Sequence, residues 1–251
     1  MLYKLFMNEK DIIIENISTI CRRIENTCHR IGRNPKEVKL LLATKTVSAE
    51  KIKIALETGV TLIGENKVQE IKEKYECLKD IPHTKHFIGH LQTNKVKELL
   101  KFGVSCIQSL DRLDLAEKLQ QRLESDDKSI EAFIQVNTSY EESKFGLDPS
   151  EVLAFSKQVS QLNRIKIKGL MTIGLFSADT EKVRKCFRLL KEIQQKIIAE
   201  NIPNIEVNEL SMGMSGDLET AVEEGTTIIR VGTAIFGQRI YPDSYYWNEQ
   251  K

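Results

Sequence analysis

The chain has 251 residues, 41% of them hydrophobic, and its 37 Lys+Arg against 36 Asp+Glu leave a formal net charge of +1. That length suits one barrel-sized domain or two small ones, and scarce proline with no Gly/Ser-rich linker favours a single domain over residues 1–251. Charges of both signs interspersed along helices exclude a nucleic-acid or membrane-surface protein driven by bulk charge; five scattered cysteines with no CxxC fit a reducing cytoplasm rather than a disulfide framework or zinc site, and neither a secretory signal nor a run of ~18 apolar residues is present.

From about Asn8 to Ile31, Ile12, Ile13, Ile17, Ile20, Cys21, Ile24 and Cys28 recur at three- and four-residue steps, which predicts an amphipathic helix closed by Gly32. The next stretch, Val38 to Thr44, is an almost unbroken apolar run and reads as a strand buried on both faces. It ends in Lys45. An amine at the mouth of a core has two readings: an ordinary solvated lysine, or, in dry surroundings that lower its pKa, a nucleophile able to form a Schiff base with an aldehyde or ketone.

A helix follows from Ser48, an N-cap residue, to Gly59. Then come a strand Thr61 to Gly64 with a helix opening near Asn66, and a strand His86 to His90 with a helix from about Thr93 to Phe102. Val104 to Ser109 leads to a helix from Asp111, and Ile130 to Asn137 leads through a longer loop to a helix from Asp148. Ile165 to Ile173 precedes a long helix from about Asp179 to Glu200; Ile205 to Leu210 feeds a helix near Asp217, and Thr226 to Val231 a short last one. Strands alternating with helices imply parallel pairing, and eight such units are the count and size of a (β/α)8 barrel, here over about 38–240 after an N-terminal helix at about 8–31. A doubly wound open sheet fits the same alternation with one or two strands fewer, but the glycine fingerprint of a dinucleotide fold is missing after the first strand.

In a barrel, chemistry gathers where the strands end. Those positions hold Lys45, Glu65, Asn66, His90, Met171, Thr172, the turn from Ser211 to Gly216, and Arg230 to Thr233. The turns after strands seven and eight are rich in glycine and hydroxyls, which suits a phosphate held by backbone N–H groups; the other reading of Gly213 and Gly232 is two tight turns. One ligand with both a phosphate and a carbonyl would join these turns to Lys45, and pyridoxal 5′-phosphate has that shape. Arg230 could then face the pyridine nitrogen, an always-charged donor that keeps it unprotonated and weakens the ring as an electron sink.

The stretches LLLATK, IGENKVQE, HFIGHLQTNK, SKFGL, IKGLMTIG, ELSMGMSGDLETAVEEG and IRVGTAIFG resemble those of the pyridoxal phosphate homeostasis protein family, in order from about Leu40 to Gly237. That family is similar to the barrel half of fold-type III enzymes such as alanine racemase. The resemblance implies that Lys45 carries the cofactor as a Schiff base, that Ser211, Gly232 and Thr233 hold its phosphate with Ser215 as a further candidate, that Arg230 faces the ring nitrogen, and that Asn66, His90 and Met171 line the pocket. Thr44 stands where the family usually has serine, Lys67 where tyrosine or arginine is frequent, and Gly216 where aspartate is frequent.

Other residues offer alternatives. His83, His86 and His90 have metal-like spacing, yet on a strand from His86 to His90 those two side chains would lie about 13 Å apart, too far for one ion. Lys144 is either a second amine near the mouth or a solvated loop lysine; Cys106 reads as core, and the Lys/Glu-rich helix at Lys67 to Lys79 as a solvated face. Racemisation needs proton-exchanging groups on both faces of the substrate. Lys45 can serve one face, and the family's racemases take the opposing tyrosine from a separate domain for which this chain leaves no room; Tyr241, Tyr245 and Tyr246 could substitute. The expectation is therefore a monomeric cytoplasmic protein that stores, buffers or delivers the cofactor to apo-enzymes, ahead of a weak amino-acid racemase or a regulatory protein whose partner senses the loaded state.

Overall fold

A computed structural model describes residues 8–237. Eight parallel strands form a closed barrel in the order of the sequence: β1 (Lys39–Ala43), β2 (Leu62–Glu65), β3 (Thr84–Phe87), β4 (Cys106–Leu110), β5 (Ile130–Gln135), β6 (Ile165–Met171), β7 (Ile205–Ser211) and β8 (Ile228–Val231). The ring closes where β1 pairs β8, with Leu41 opposite Arg230 and Leu42 opposite Val231. Helices follow the strands: α2 (Ala49–Leu56), α3 (Val68–Leu78), α4 (Val96–Leu100), α5 (Leu113–Ser125), α6 (Val152–Val159), α7 (Thr180–Ala199), α8 (Leu218–Glu223) and α9 (Thr233–Phe236). The helix α1 (Glu9–Arg30) comes before the barrel.

Alternation within the strands sorts the core into two compartments. Leu41, Cys106, Phe133, Met171 and Ile228 meet inside the barrel as an apolar plug. The larger clusters lie between the strands and the helices. Gly169 serves close approach: a Cβ there would stand 2.1 Å from the Glu209 carbonyl oxygen of β7. The helix α1 starts at Asn8, whose side chain accepts from Asp11 N, and its buried Ile13, Ile17, Ile20 and Ile24 seal the β8–β1 side. Arg23 fastens it to Glu219 of α8, and Asn16 donates to the Ile235 carbonyl of α9.

The element boundaries differ from the sequence expectation in two places that matter. β3 ends at Phe87, not His90. One further ladder bond, Ile88 N to Glu65 O, is made, and then Gly89 lies so close to the chain that a Cβ would fall 2.0 Å from the Asn66 carbonyl. The backbone therefore turns away, and His90 stands on a loop. α6 begins at Val152 rather than Asp148, because Asp148 Oδ1 accepts from Ser150 N in a local turn that precedes the helix. Among the described residues no helix is long and apolar enough to cross a membrane.

Candidate active site

Lys45 leaves the end of β1 in a tight turn closed by Val47 N donating to Thr44 O. Thr46 occupies the left-handed region at φ 58°, costly for a β-branched residue and sustained only where surroundings enforce it. The enforcement comes from acidic side chains. Thr46 N donates to Glu70 Oε1 at 3.2 Å, and Thr44 Oγ1 donates to Glu65 Oε1 at 2.6 Å. The Lys74 ammonium reaches both Glu65 oxygens, at 2.9 and 3.1 Å, and Thr44 O at 2.8 Å. Burial pushes the Glu65 carboxyl up to about 7, against the opposing pull of the Lys74 charge. Lys45, itself half-buried, is thus carried on a turn braced from β2 and α3. The expectation of a wholly solvated α3 is corrected at Lys74. Together with Val68, Ile71 and Leu78 it lies on the buried stripe.

On the neighbouring strand, Arg230 is buried at the end of β8. Its Nη1 donates to Ser211 Oγ at 2.7 Å and its Nη2 to Thr172 O at 2.8 Å, so both acceptors are neutral. Burial lowers its pKa to about 10, which still leaves the guanidinium charged at neutrality. Ser211 is completely buried, and its hydroxyl also donates to Gln108 Oε1 at 2.6 Å. It therefore stands below the turn that follows it. Ser215 occupies that turn: its Oγ is 3.4 Å from Thr233 Oγ1 and accepts from Ala234 N at 3.4 Å. The turns after β7 and β8 consequently meet, and hydroxyls and backbone N–H groups converge at Ser215, Gly232, Thr233 and Ala234. Gly232 lets this turn approach β1, since a Cβ would come within 2.9 Å of Ala43 O. Gly213, at φ 91°, permits the bend, and Asp217 fastens it by accepting from Met214 N at 2.5 Å.

Asn66 and His90 stand across the mouth, after β2 and β3. Asn66 Oδ1 is buried with no hydrogen-bond partner among the described residues. The His90 ring stacks on Phe145, with centroids 3.9 Å apart at 18°. Met171, 1% exposed, is part of the apolar plug beneath. His83 and His86 are engaged separately, His83 Nδ1 at 2.7 Å from Ile81 O and His86 Nδ1 at 2.8 Å from Gln108 Nε2. No group of three potential metal ligands occurs among the described residues. Lys144 pairs with Glu141 and donates to Gly174 O at 2.7 Å, which ties the β5–α6 loop to the β6–α7 loop. Tyr241, Tyr245 and Tyr246 lie outside the described residues. Sequence reasoning missed Lys74, Gln108, Asp217 and Phe145. Lys74 and Gln108 left a signal, each being a polar residue at a position whose periodicity assigns it to the interior.

An amine, a buried guanidinium and a hydroxyl- and glycine-rich turn stand on the adjacent strands β1, β8 and β7 of a barrel of the alanine racemase type. Residues 21–240 match the family model described as alanine racemase, N-terminal domain. A solved alanine racemase from Clostridium difficile, 15% identical, shares this fold with a TM-score of 0.71 over 93% of this chain and 57% of that one. Within that class, the chain belongs to the pyridoxal phosphate homeostasis protein family. It is 43% identical to the pyridoxal phosphate homeostasis protein of Aquifex aeolicus, over 90% of this chain and 98% of the relative. The protein of that name from Haemophilus influenzae is 36% identical over 92% and 98%. Among solved structures, PipY of Synechococcus elongatus with PLP bound is 31% identical, with a TM-score of 0.78 over 90% of this chain and all of that one.

Proposed function

We propose that the chain binds pyridoxal 5′-phosphate as a Schiff base on Lys45 and contributes to cofactor homeostasis by storing, buffering or delivering it. The observation that carries this is the grouping of three functions on three adjacent strands: the half-buried amine after β1, the buried Arg230 of β8, and the Ser215–Thr233–Ala234 turn. The residues fit the cofactor. Ser215, Gly232 and Thr233 take the phosphate, Arg230 the ring nitrogen, and the unpartnered Asn66 Oδ1 is available to a ligand donor. When bound, the cofactor supplies an aldehyde carbon for reversible imine exchange. The chain's own part is to hold Lys45 on its braced turn, to keep a charged donor at the ring nitrogen, and to close the floor with Met171 and the plug. The Ser211 hydroxyl, engaged by Arg230 and Gln108, holds the guanidinium rather than the phosphate. The names of the relatives and the bound state of the 31% identical cyanobacterial structure support the same ligand. We place the protein in the cytoplasm as a monomer; its five cysteines are all free thiols, as a reducing compartment requires.

The test is the visible spectrum of purified protein mixed with pyridoxal 5′-phosphate, before and after borohydride, with peptide mapping. The expected result is an imine band that bleaches, with the adduct on Lys45 and both features absent in Lys45→Ala. A colourless protein that fails to take up the cofactor refutes the reading. Faster reactivation of an apo-enzyme by loaded protein than by free cofactor supports delivery. Rapid exchange of amino-acid α-hydrogens in deuterated water would instead assign turnover.

A further inference from the structure

We infer that Gln108 and His86 are positioning residues for Arg230, acting through a hydrogen-bonded chain across the barrel interior whose donors all point away from Arg230. The chain runs from Arg230 Nη1 to Ser211 Oγ (2.7 Å), from Ser211 Oγ to Gln108 Oε1 (2.6 Å), and from Gln108 Nε2 to His86 Nδ1 (2.8 Å). It links β8, β7, β4 and β3, and each member is buried, Gln108 and Ser211 completely.

The direction follows from counting donors. A guanidinium has N–H groups and no acceptor, so Ser211 Oγ must accept from Arg230. Ser211 Oγ could accept a second time, but with the Gln108 carbonyl oxygen placed 2.6 Å away its one proton goes there. That amide orientation leaves Nε2, a donor, pointing at His86. Nδ1 of His86 is therefore bare and the ring proton resides on Nε2. A protonated His86 would set two donors face to face. Burial, aided by the Lys39 charge from β1, lowers its pKa to about 4, so the chain stays intact at working pH. The register neighbours of His86 are Gly64 of β2 and Cys106 of β4. Burial pushes the Cys106 thiol well up and keeps it neutral; Glu131 and Glu209, whose charges act on that thiol, complete the titratable surroundings together with Lys39.

Each link sends its proton away from Arg230 and presents a lone pair toward it. Ser211 and Thr172 O together hold the guanidinium at two points, and Gln108 and His86 decide which way Ser211 faces. A glutamine needed only for packing would carry no such polarity. The consequence for the cofactor, a fixed donor at the ring nitrogen, rests on the pyridoxal phosphate reading; the direction of the chain does not.

The experiment has two arms. In the first, protein labelled with 15N-histidine is examined by NMR without cofactor, and the His86 signals among the four histidines are assigned by their loss in His86→Asn. The expected result is the Nε2–H tautomer, unchanged between pH 5 and 8, and in Gln108→Glu a switch to a protonated Nδ1 with a pKa raised by more than one unit. A wild-type His86 protonated on Nδ1 overturns the inference. In the second arm, wild type, Gln108→Leu and Gln108→Glu are loaded with pyridoxal 5′-phosphate. A shifted absorption maximum or titration midpoint in both variants is expected, with an about tenfold weaker dissociation constant in Gln108→Leu and the Lys45 adduct retained. Spectra and titrations identical to wild type in both variants overturn the positioning role. A wild-type protein that takes up no cofactor refutes the proposed function instead, while the tautomer still decides the chain.

Discussion

Lys74→Met removes the cation of a buried pair whose side chains are 11% and 2% exposed, and leaves Glu65 with the Thr44 hydroxyl but without its paired cation. Breaking such a pair by deleting one partner typically costs about 3–5 kcal/mol, because the survivor is a charge in a poor solvent. The loss depends on pH with a definite sign. Burial holds the folded-state pKa of Glu65 above its ordinary 4.5, so the folded protein binds the extra proton and the contribution of this group to stability falls as pH rises from about 4.5 through about 7. The variant lacks the charge that restrains this pKa, so its window extends higher and its deficit grows with pH. Urea unfolding at pH 5 and pH 8 should give a deficit of about 3–5 kcal/mol at pH 8 and roughly the 1–3 kcal/mol of an unmatched polar group at pH 5. Glu65→Leu combined with Lys74→Met should recover most of the loss, since no charge then remains buried. A deficit equal at both pH values, or a double variant no better than the single, would refute the reasoning. Lys74 also holds Thr44 O, one residue from Lys45, so under the proposed function imine formation in the single variant should slow as well.

Gly169→Ala places a methyl 2.1 Å from Glu209 O and 2.7 Å from Phe133 Cε1, and should cost at least roughly 3 kcal/mol by urea unfolding; a loss below about 1 kcal/mol would mean that the β6–β7 approach relaxes freely. Gly232→Ala meets Ala43 O at 2.9 Å and should weaken cofactor binding, with inorganic phosphate becoming a poorer competitor in calorimetry; unchanged competition would remove this turn from the anion site. Asp179→Ala deletes the cap that accepts from Glu181 N and Lys182 N, and should lower stability by about 1 kcal/mol, a Tm shift of roughly 2–4 °C. A Tm unchanged by this substitution would show that the end of α7 is held by its packing alone.

The barrel was legible because both of its signals are local. Runs such as Leu40 to Ala43 are apolar on both faces, as a parallel strand covered by helices requires, and the helical stripes of α1 and α7 repeat without interruption. Lys45 and Arg230 could be singled out because each sits at the end of such a run. Ser211 was harder to place. A hydroxyl in a glycine-rich turn is equally readable as an anion ligand or as a support, and the alternation of β7, which sends its side chain inward to Gln108 and Arg230, supports the second reading. The end of β3 escaped prediction because the close approach of Gly89 to the Asn66 carbonyl, which leaves no room for a Cβ, joins two loops distant from the pattern of either. Lys74 was misread because charge was weighted above position, although it falls three residues after Ile71 and four before Leu78.

The barrel is not equally tight around its circumference. β1 and β8 are in register over Lys39 to Leu42, whereas β7 and β8 are in register only at Ser211 and Ile228. Beyond that pair the seam is carried by backbone bonds from Thr227 N to Leu210 O, Met212 N to Ile228 O and Arg230 N to Gly213 O, and by Thr226, whose Oγ1 lies within 3.0 Å of the carbonyl oxygens of Leu210, Met212 and Ile228 and has one proton to share among them. With so short a register, amide protons along residues 213–216 should exchange with solvent through small local openings, ahead of those of β1 and β5 and without global unfolding. The turn proposed to hold the phosphate lies on that same lip, so under that reading the ligand enters over the side of the wall with the shortest register.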